Sequence, residues 1–212
     1  MKLSKLVYSV VKNVMYLDDT SFTYVAFRNR DFDSDQDYVN SINNAMAPIN
    51  EAIHRLSDRN KIKYQVLKLN PPTEAFVDIS DISHLFKKIK SVFYIIDNKF
   101  VRVGYREYGN TALFLQTVLD KELHIEYIQD IPSFEREDIY DDDTDCDLSR
   151  YGISETMCSY IIEYAQGKLQ EPIAPELANL HITRAEQYFD DLEEQQTGFS
   201  QEVVAKKYGI SR

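Results

Sequence analysis

Apolar residues recur three and four positions apart over four stretches of this chain, and two positions apart over another. The first helical stretch, 2–17, carries Leu3, Leu6, Val7, Val10, Val14 and Leu17. The second, 34–59, opens on Ser34-Asp35-Gln36-Asp37, which resembles a capping box with Asp in place of the usual Glu or Gln. Tyr38, Ile42, Ala45, Ile49, Ala52 and Leu56 then alternate strictly four and three apart, and Val39, Met46 and Ile53 widen the stripe. Pro48 lies inside it, removes the hydrogen bond to the Asn44 carbonyl and predicts a bend. The third stretch, 154–170, starts at Ser154, a natural N-cap, and sets Met157, Ile161, Tyr164, Ala165 and Leu169 on one face. The fourth, 175–195, starts at Pro175, where the first helical N–H has no partner to lose. Its stripe is Ala178, Ile182, Ala185, Phe189 and Leu192. So little chain separates the last two stretches that an antiparallel helical hairpin is expected.

From Lys61 the period becomes two. Ile62, Tyr64 and Val66 alternate until Asn70-Pro71-Pro72. Residues 76–82 are ambiguous, and 84–96 read as a strand centred on Val92 to Ile96. Asp97-Asn98 turns that strand into Phe100-Val101-Arg102-Val103, and Gly109-Asn110 turns into Ala112 to Leu115. Leu123, Ile125 and Tyr127 form the last strand before Pro132. The expected class is α+β. A four-helix bundle, 1–60 with 151–195, carries an inserted small antiparallel β-sheet subdomain over 61–133. An acidic loop over 134–150 and an extended C-terminal arm over 196–212, set off by Gly198, complete the chain. The stretch 21–27 reads as either a short strand or an ordered loop.

The 212 residues are 43% apolar, enough for a core, and the two cysteines, Cys146 and Cys158, make no disulfide framework. No basic-then-apolar leader and no membrane-length apolar run is visible, so no membrane partner is expected. The net charge of −11 argues against a sequence-independent DNA binder, which needs basic patches to release counterions. It suits a protein that lets DNA pass without holding it.

Constellations with chemistry are scarce. Asp141, Asp143 and Asp145 start like a calcium loop, but Cys146 stands where Gly is needed and Gly152 where Glu is needed, which favours a solvated acidic loop. His54, His84, His124 and His181 are scattered, with no zinc-like spacing. With six glycines and no phosphate-loop, dinucleotide or nucleophile-elbow motif, neither catalysis, cofactor nor metal is expected. The tail from Ser200 to Ser211 imitates the first helix and turn of a helix-turn-helix, without a recognition helix after it. It also reads as a docking arm. Phe199, Val203, Val204, Tyr208 and Ile210 supply apolar anchors, and Lys206, Lys207 and Arg212 supply charge.

The order of elements, with the stretches Asp35 to Ala45, Ile53 to Leu56, Ile89 to Tyr94, Tyr105 to Asn110, Tyr151 to Ser154, Ile161 to Ala165 and Ala185 to Tyr188, resembles the head-to-tail adaptor (connector) proteins of tailed bacteriophages. Tail-tubular and ring proteins of short-tailed phages belong to that group, and the ring protein of crAss-like phages is the nearest type. The resemblance spans 1–195; Pro48 inside the long helix departs from it. It implies a virion protein at the head–tail junction, assembled in the host cytoplasm. That protein would form a dodecameric ring under the portal, contact a downstream tail or ring protein, and pass DNA through its channel. It also implies that the C-terminal arm docks on the portal. The competing classes are a DNA-associated regulator built on the tail and, further off, a metal-dependent hydrolase built on the acidic loop.

Overall fold

Leu3, Leu6, Val7, Val10 and Val11 share one face of helix α1 (Leu3–Met15), and all five are buried. The computed structural model describes the chain apart from residues 17–18, 60, 63, 110, 141–144, 146 and 209–212, and describes 193–208 by backbone only. Contacts divide the chain into a helical unit, Met1–Lys61 with Ser133–Arg212, and a β unit, Ile62–Pro132.

In the helical unit, the stretch left open between strand and loop folds as a short helix, α2 (Tyr24–Arg28). Thr23 caps it by accepting the Ala26 N–H at 3.2 Å. Five residues are too few to display a helical period, so only the cap chemistry could have marked it. Its Phe27 joins Phe22 and Tyr38 in a buried aromatic cluster, with Tyr8 and Tyr16 at its rim. The cap of helix α3 (Gln36–Asp58) is Asp35 rather than Ser34: its carboxylate accepts the N–H groups of Asp37 and Tyr38. The helix runs through Pro48, and its Tyr38, Ile42, Ala45, Ile49, Ala52, Ile53 and Leu56 are buried.

The β unit corrects the expectation of a single sheet. Strands β1 (Gln65–Leu69), β2 (Phe76–Asp78), β3 (Phe86–Ile96), β4 (Lys99–Val103), β5 (Tyr105–Tyr108), β6 (Ala112–Leu115) and β7 (Leu123–Gln129) form two antiparallel sheets. Their orders are β1-β7-β3-β4 and β2-β6-β5. Asp97 and Asn98, both at positive φ, make the tight β3–β4 turn. The chain then passes from one sheet to the other through Gly104 alone. A Cβ there would stand 2.0 Å from Gln116 Oε1, and the Gln116 N–H donates to the Gly104 carbonyl at 2.8 Å. What a Cβ would meet is the far end of an exposed, flexible side chain that can move aside, and the backbone hydrogen bond closes the corner. The sheets share one core, in which Val92, Tyr94, Val103, Leu123 and Ile125 of the first meet Leu113 and Leu115 of the second, with Ile79 beside them.

Helices α4 (Glu155–Gln170) and α5 (Pro175–Tyr208) end the chain. The mixed α+β class therefore stands, but the expected end of the last helix at Gln195 and the extended arm after it do not. Helix α5 continues through Gly198 to Tyr208. One glycine costs a helix about 1 kcal/mol. Glu193, Glu194, Gln195, Gln196, Ala205, Lys206 and Lys207 around it are all good helix formers.

Candidate interaction surface

The α4–α5 hairpin is built on a close approach. A Cβ at Gly167 would lie 2.7 Å from Ile182 Cδ1 and 3.2 Å from the Ala178 carbonyl oxygen, so the helices meet where α4 has no side chain. Ser154 caps α4 by accepting the Met157 N–H, and the Met157 sulfur accepts the Ser154 N–H, which closes a capping box with sulfur in place of a carboxamide. At the turn, the N–H groups of Ile173 and Ala174 both donate to the Gln170 carbonyl, and Pro175 begins α5.

Polar contacts fix the rest of the hairpin. His181 Nδ1 lies 2.6 Å from Glu163 Oε2. Arg55 of α3 pairs with Glu186 at 3.2 Å and lies over the Tyr164 ring, whose hydroxyl donates to Glu51. Tyr160 packs on Phe189, and burial pushes its phenol up to about 12. Helix α4 also packs on α3 and α1.

The inner stripe of α5, Ala178, Ala185, Phe189 and Leu192, is buried as its spacing predicts, and Ile182 of the same stripe is half-buried. Three further apolar residues of α5, which the sequence reading missed, are exposed: Leu177 and Tyr188 about a quarter-turn from the stripe, and Leu180 nearly opposite it. Ile173, in the turn before them, is 70% exposed. Ala174, Pro175, Glu176, Leu177 and Leu180 line an open groove there. Its signal was readable: Leu177 and Leu180 are leucines outside the four-three stripe, in a helix whose inner face is already complete.

Phe199, Val203, Val204, Lys206, Lys207 and Tyr208 belong to the C-terminal part of α5, but their side chains lie outside the described residues, as do Ile210 and Arg212 entirely. Asp141 and Asp143 of the acidic loop lie outside them too.

Asp145 overturns the picture of a wholly solvated acidic loop, because its side chain is 0% exposed. One carboxylate oxygen accepts the Ser4 N–H and the other the Ser4 hydroxyl, both at 2.9 Å. Lys2 Nζ and Arg28 Nη1 each lie 3.4 Å away. The Ser4 Oγ also lies 2.7 Å from the Tyr24 hydroxyl. A carboxylate thus sits on the first turn of α1, which has no side-chain cap of its own, and accepts one of its free N–H groups, that of Ser4. Leu148 N–H donates to the Met1 carbonyl beside it, and Asp147 pairs with the Met1 amino group at 3.3 Å. The site is a structural latch that consumes the one acidic-loop aspartate described here with metal-like spacing.

Among the described residues no group of three or more His, Cys, Asp or Glu could hold a metal ion. Cys158 is buried, and burial pushes its thiol up to about 11, away from nucleophilic use. No helix among the described residues is long and apolar enough to cross a membrane. No family model matches the chain, and no curated protein matches it.

Proposed function

We propose that this chain is a structural virion protein, a head-to-tail adaptor whose copies form a ring between portal and tail. In this reading α1, α3, α4 and α5 act together as a four-helix bundle, and twelve copies enclose a channel through which DNA passes without specific binding. The observation that carries the reading is α5. It has 34 residues, about 51 Å of helix, whereas α4, its hairpin partner, has 16. A helix that outruns its partner by that much, and keeps Leu177 and Leu180 exposed at its other end, is built to be completed by other chains.

Charge supports the same reading. Residues 62–132 hold nine Lys or Arg and nine Asp or Glu, so the whole net charge of −11 belongs to the helical unit. An acidic helical ring repels phosphates and leaves DNA free to slide. The regulator reading needs a turn over 209–211, which lies outside the described residues, and the net charge of −11 stands against it.

Electron microscopy of the full chain, alone and mixed with the portal protein of the same genome, tests the proposal. Closed rings that add to the portal are expected, with truncation after Gln196 abolishing the addition while the subunit stays folded. A chain that remains monomeric and ignores the portal refutes it.

A further inference from the structure

The outer face of the three-stranded sheet carries an aromatic patch that no element of the β unit covers. Strand register fixes its layout. Phe76, Phe114 and Arg106 lie side by side across β2, β6 and β5. Asp78, Ala112 and Tyr108 form the next row. Phe76, Phe114 and Tyr108 are 53%, 40% and 54% exposed, and the rings of Phe76 and Tyr108 lie 6.2 Å apart. The opposite faces of β2 and β6, with Val77, Leu113 and Leu115, supply the core. Asp78 accepts the Ser80 N–H at 2.8 Å, which holds its carboxylate in place. Among the described residues Arg106 has no ion pair and the Tyr108 hydroxyl no hydrogen bond.

We propose that this face pairs with the same face of a second copy about a two-fold axis running along β6. Such an axis keeps strand directions aligned, which is the arrangement stacked sheets adopt at about 10 Å separation. It exchanges β2 and β5 between the copies. Phe114 then meets Phe114 on the axis, Arg106 faces the ring of Phe76, and the Tyr108 hydroxyl faces the Asp78 carboxylate, each polar contact made twice. Turning the axis across the strands instead sets Asp78 against Phe76 and Arg106 against Tyr108, leaving the carboxylate on an apolar ring. The patch is self-complementary in one orientation, as an isologous contact requires. It is also composed of Phe, Tyr and Arg, the residues that anchor interfaces.

The patch offers six side chains, against roughly 20–30 residues per partner in a standard interface. The pairing is therefore weak between free chains and strengthens where another contact already holds them together. It does not depend on the ring reading.

Cross-linking of the full chain tests it. In a Cys146→Ser background, Phe114→Cys places a thiol on the axis, and Glu107→Cys places one on the other side of β5. Under mild oxidation Phe114→Cys should give a disulfide-linked dimer about tenfold faster than Glu107→Cys. Adding Arg106→Glu or Phe76→Ser should slow it to the Glu107→Cys rate. Sedimentation of the parent at rising concentration should show a reversible dimer that Arg106→Glu abolishes, with circular dichroism unchanged. Equal rates for the two cysteines overturn the proposal, as does cross-linking indifferent to Arg106 and Phe76. So does a face protected only by a different co-assembled protein.

Discussion

Replacing Asp145 by Ala should destabilise the helical unit by about 3 kcal/mol, the lower end of the range for breaking a buried ion pair from one side. The side chain is fully buried, and its two oxygens satisfy the Ser4 N–H and hydroxyl while facing Lys2 and Arg28. Removing it strands the Ser4 N–H at the start of α1, a capping loss of about 1 kcal/mol. It also takes the Asp145 carboxylate from the Arg28 guanidinium, which is 19% exposed. Arg28 keeps its hydrogen bond to the Ile139 carbonyl, and Lys2 is more than half exposed and rehydrates, so the loss stays near the lower bound. For a chain of this length, 3 kcal/mol lowers the melting temperature by about 6–12 °C. Thermal unfolding followed by circular dichroism, with Asp145→Asn as the isosteric variant and Arg28→Met as the second arm of a double-mutant cycle, measures it. The Asp145→Ala and Arg28→Met losses should be strongly non-additive. A variant that melts within 2 °C of the parent, or a cycle that is additive, refutes the latch.

Gly167→Leu should cost about 1–3 kcal/mol by forcing α4 and α5 apart, whereas Gly167→Ala, which meets mainly the movable end of Ile182, should stay within about 1 kcal/mol of the parent; denaturant melts distinguish them. Ile49→Asp sets an unpaired charge at a site that is 0% exposed and should cost several kcal/mol, visible as loss of the folded signal near room temperature. Burial raises the Cys158 thiol to about 11, so at pH 8 a thiol reagent should leave it unmodified in the native chain and modify it in denaturant, read by mass spectrometry of its peptide.

Elements with a long period were legible in the sequence. The stripes of α1, α3 and α4 fall largely on buried faces, with Val14, Val39 and Leu169 half-buried and Leu17 outside the described residues, because each helix has three or more turns to repeat the pattern. What stayed hidden had no period to repeat. Helix α2 spans five residues and β2 three, and the split into two sheets falls at a single residue, Gly104, with no motif to mark it. At Gly198 a local breaker was given more weight than the strong helix formers on both sides. Asp145 was invisible for another reason. Its partners Ser4, Lys2 and Arg28 lie more than a hundred residues away, and nothing in an acidic run marks which carboxylate the fold will bury. The outward residues of β2, β5 and β6 were each visible, but only strand register places Phe76, Phe114 and Arg106 in one row.

The uneven charge distribution separates the two proposed contacts experimentally. The helical unit carries the full −11, so bringing helical units of neighbouring copies together sets like charges against each other. At about 10 mM salt the screening length is roughly 30 Å, comparable to the unit itself; at 150 mM it falls to about 8 Å and leaves only near neighbours in repulsion. A ring formed through helical units should therefore assemble more readily as salt rises over that range. The β unit has no net charge, and its face offers one Arg and one Asp to an identical face, so its pairing should weaken slightly with salt as the Arg106 and Asp78 contacts are screened. Sedimentation across a salt series resolves opposite slopes for the two associations. Parallel slopes would mean that both associations use the same surface, and that the division of labour between helices and sheets is wrong.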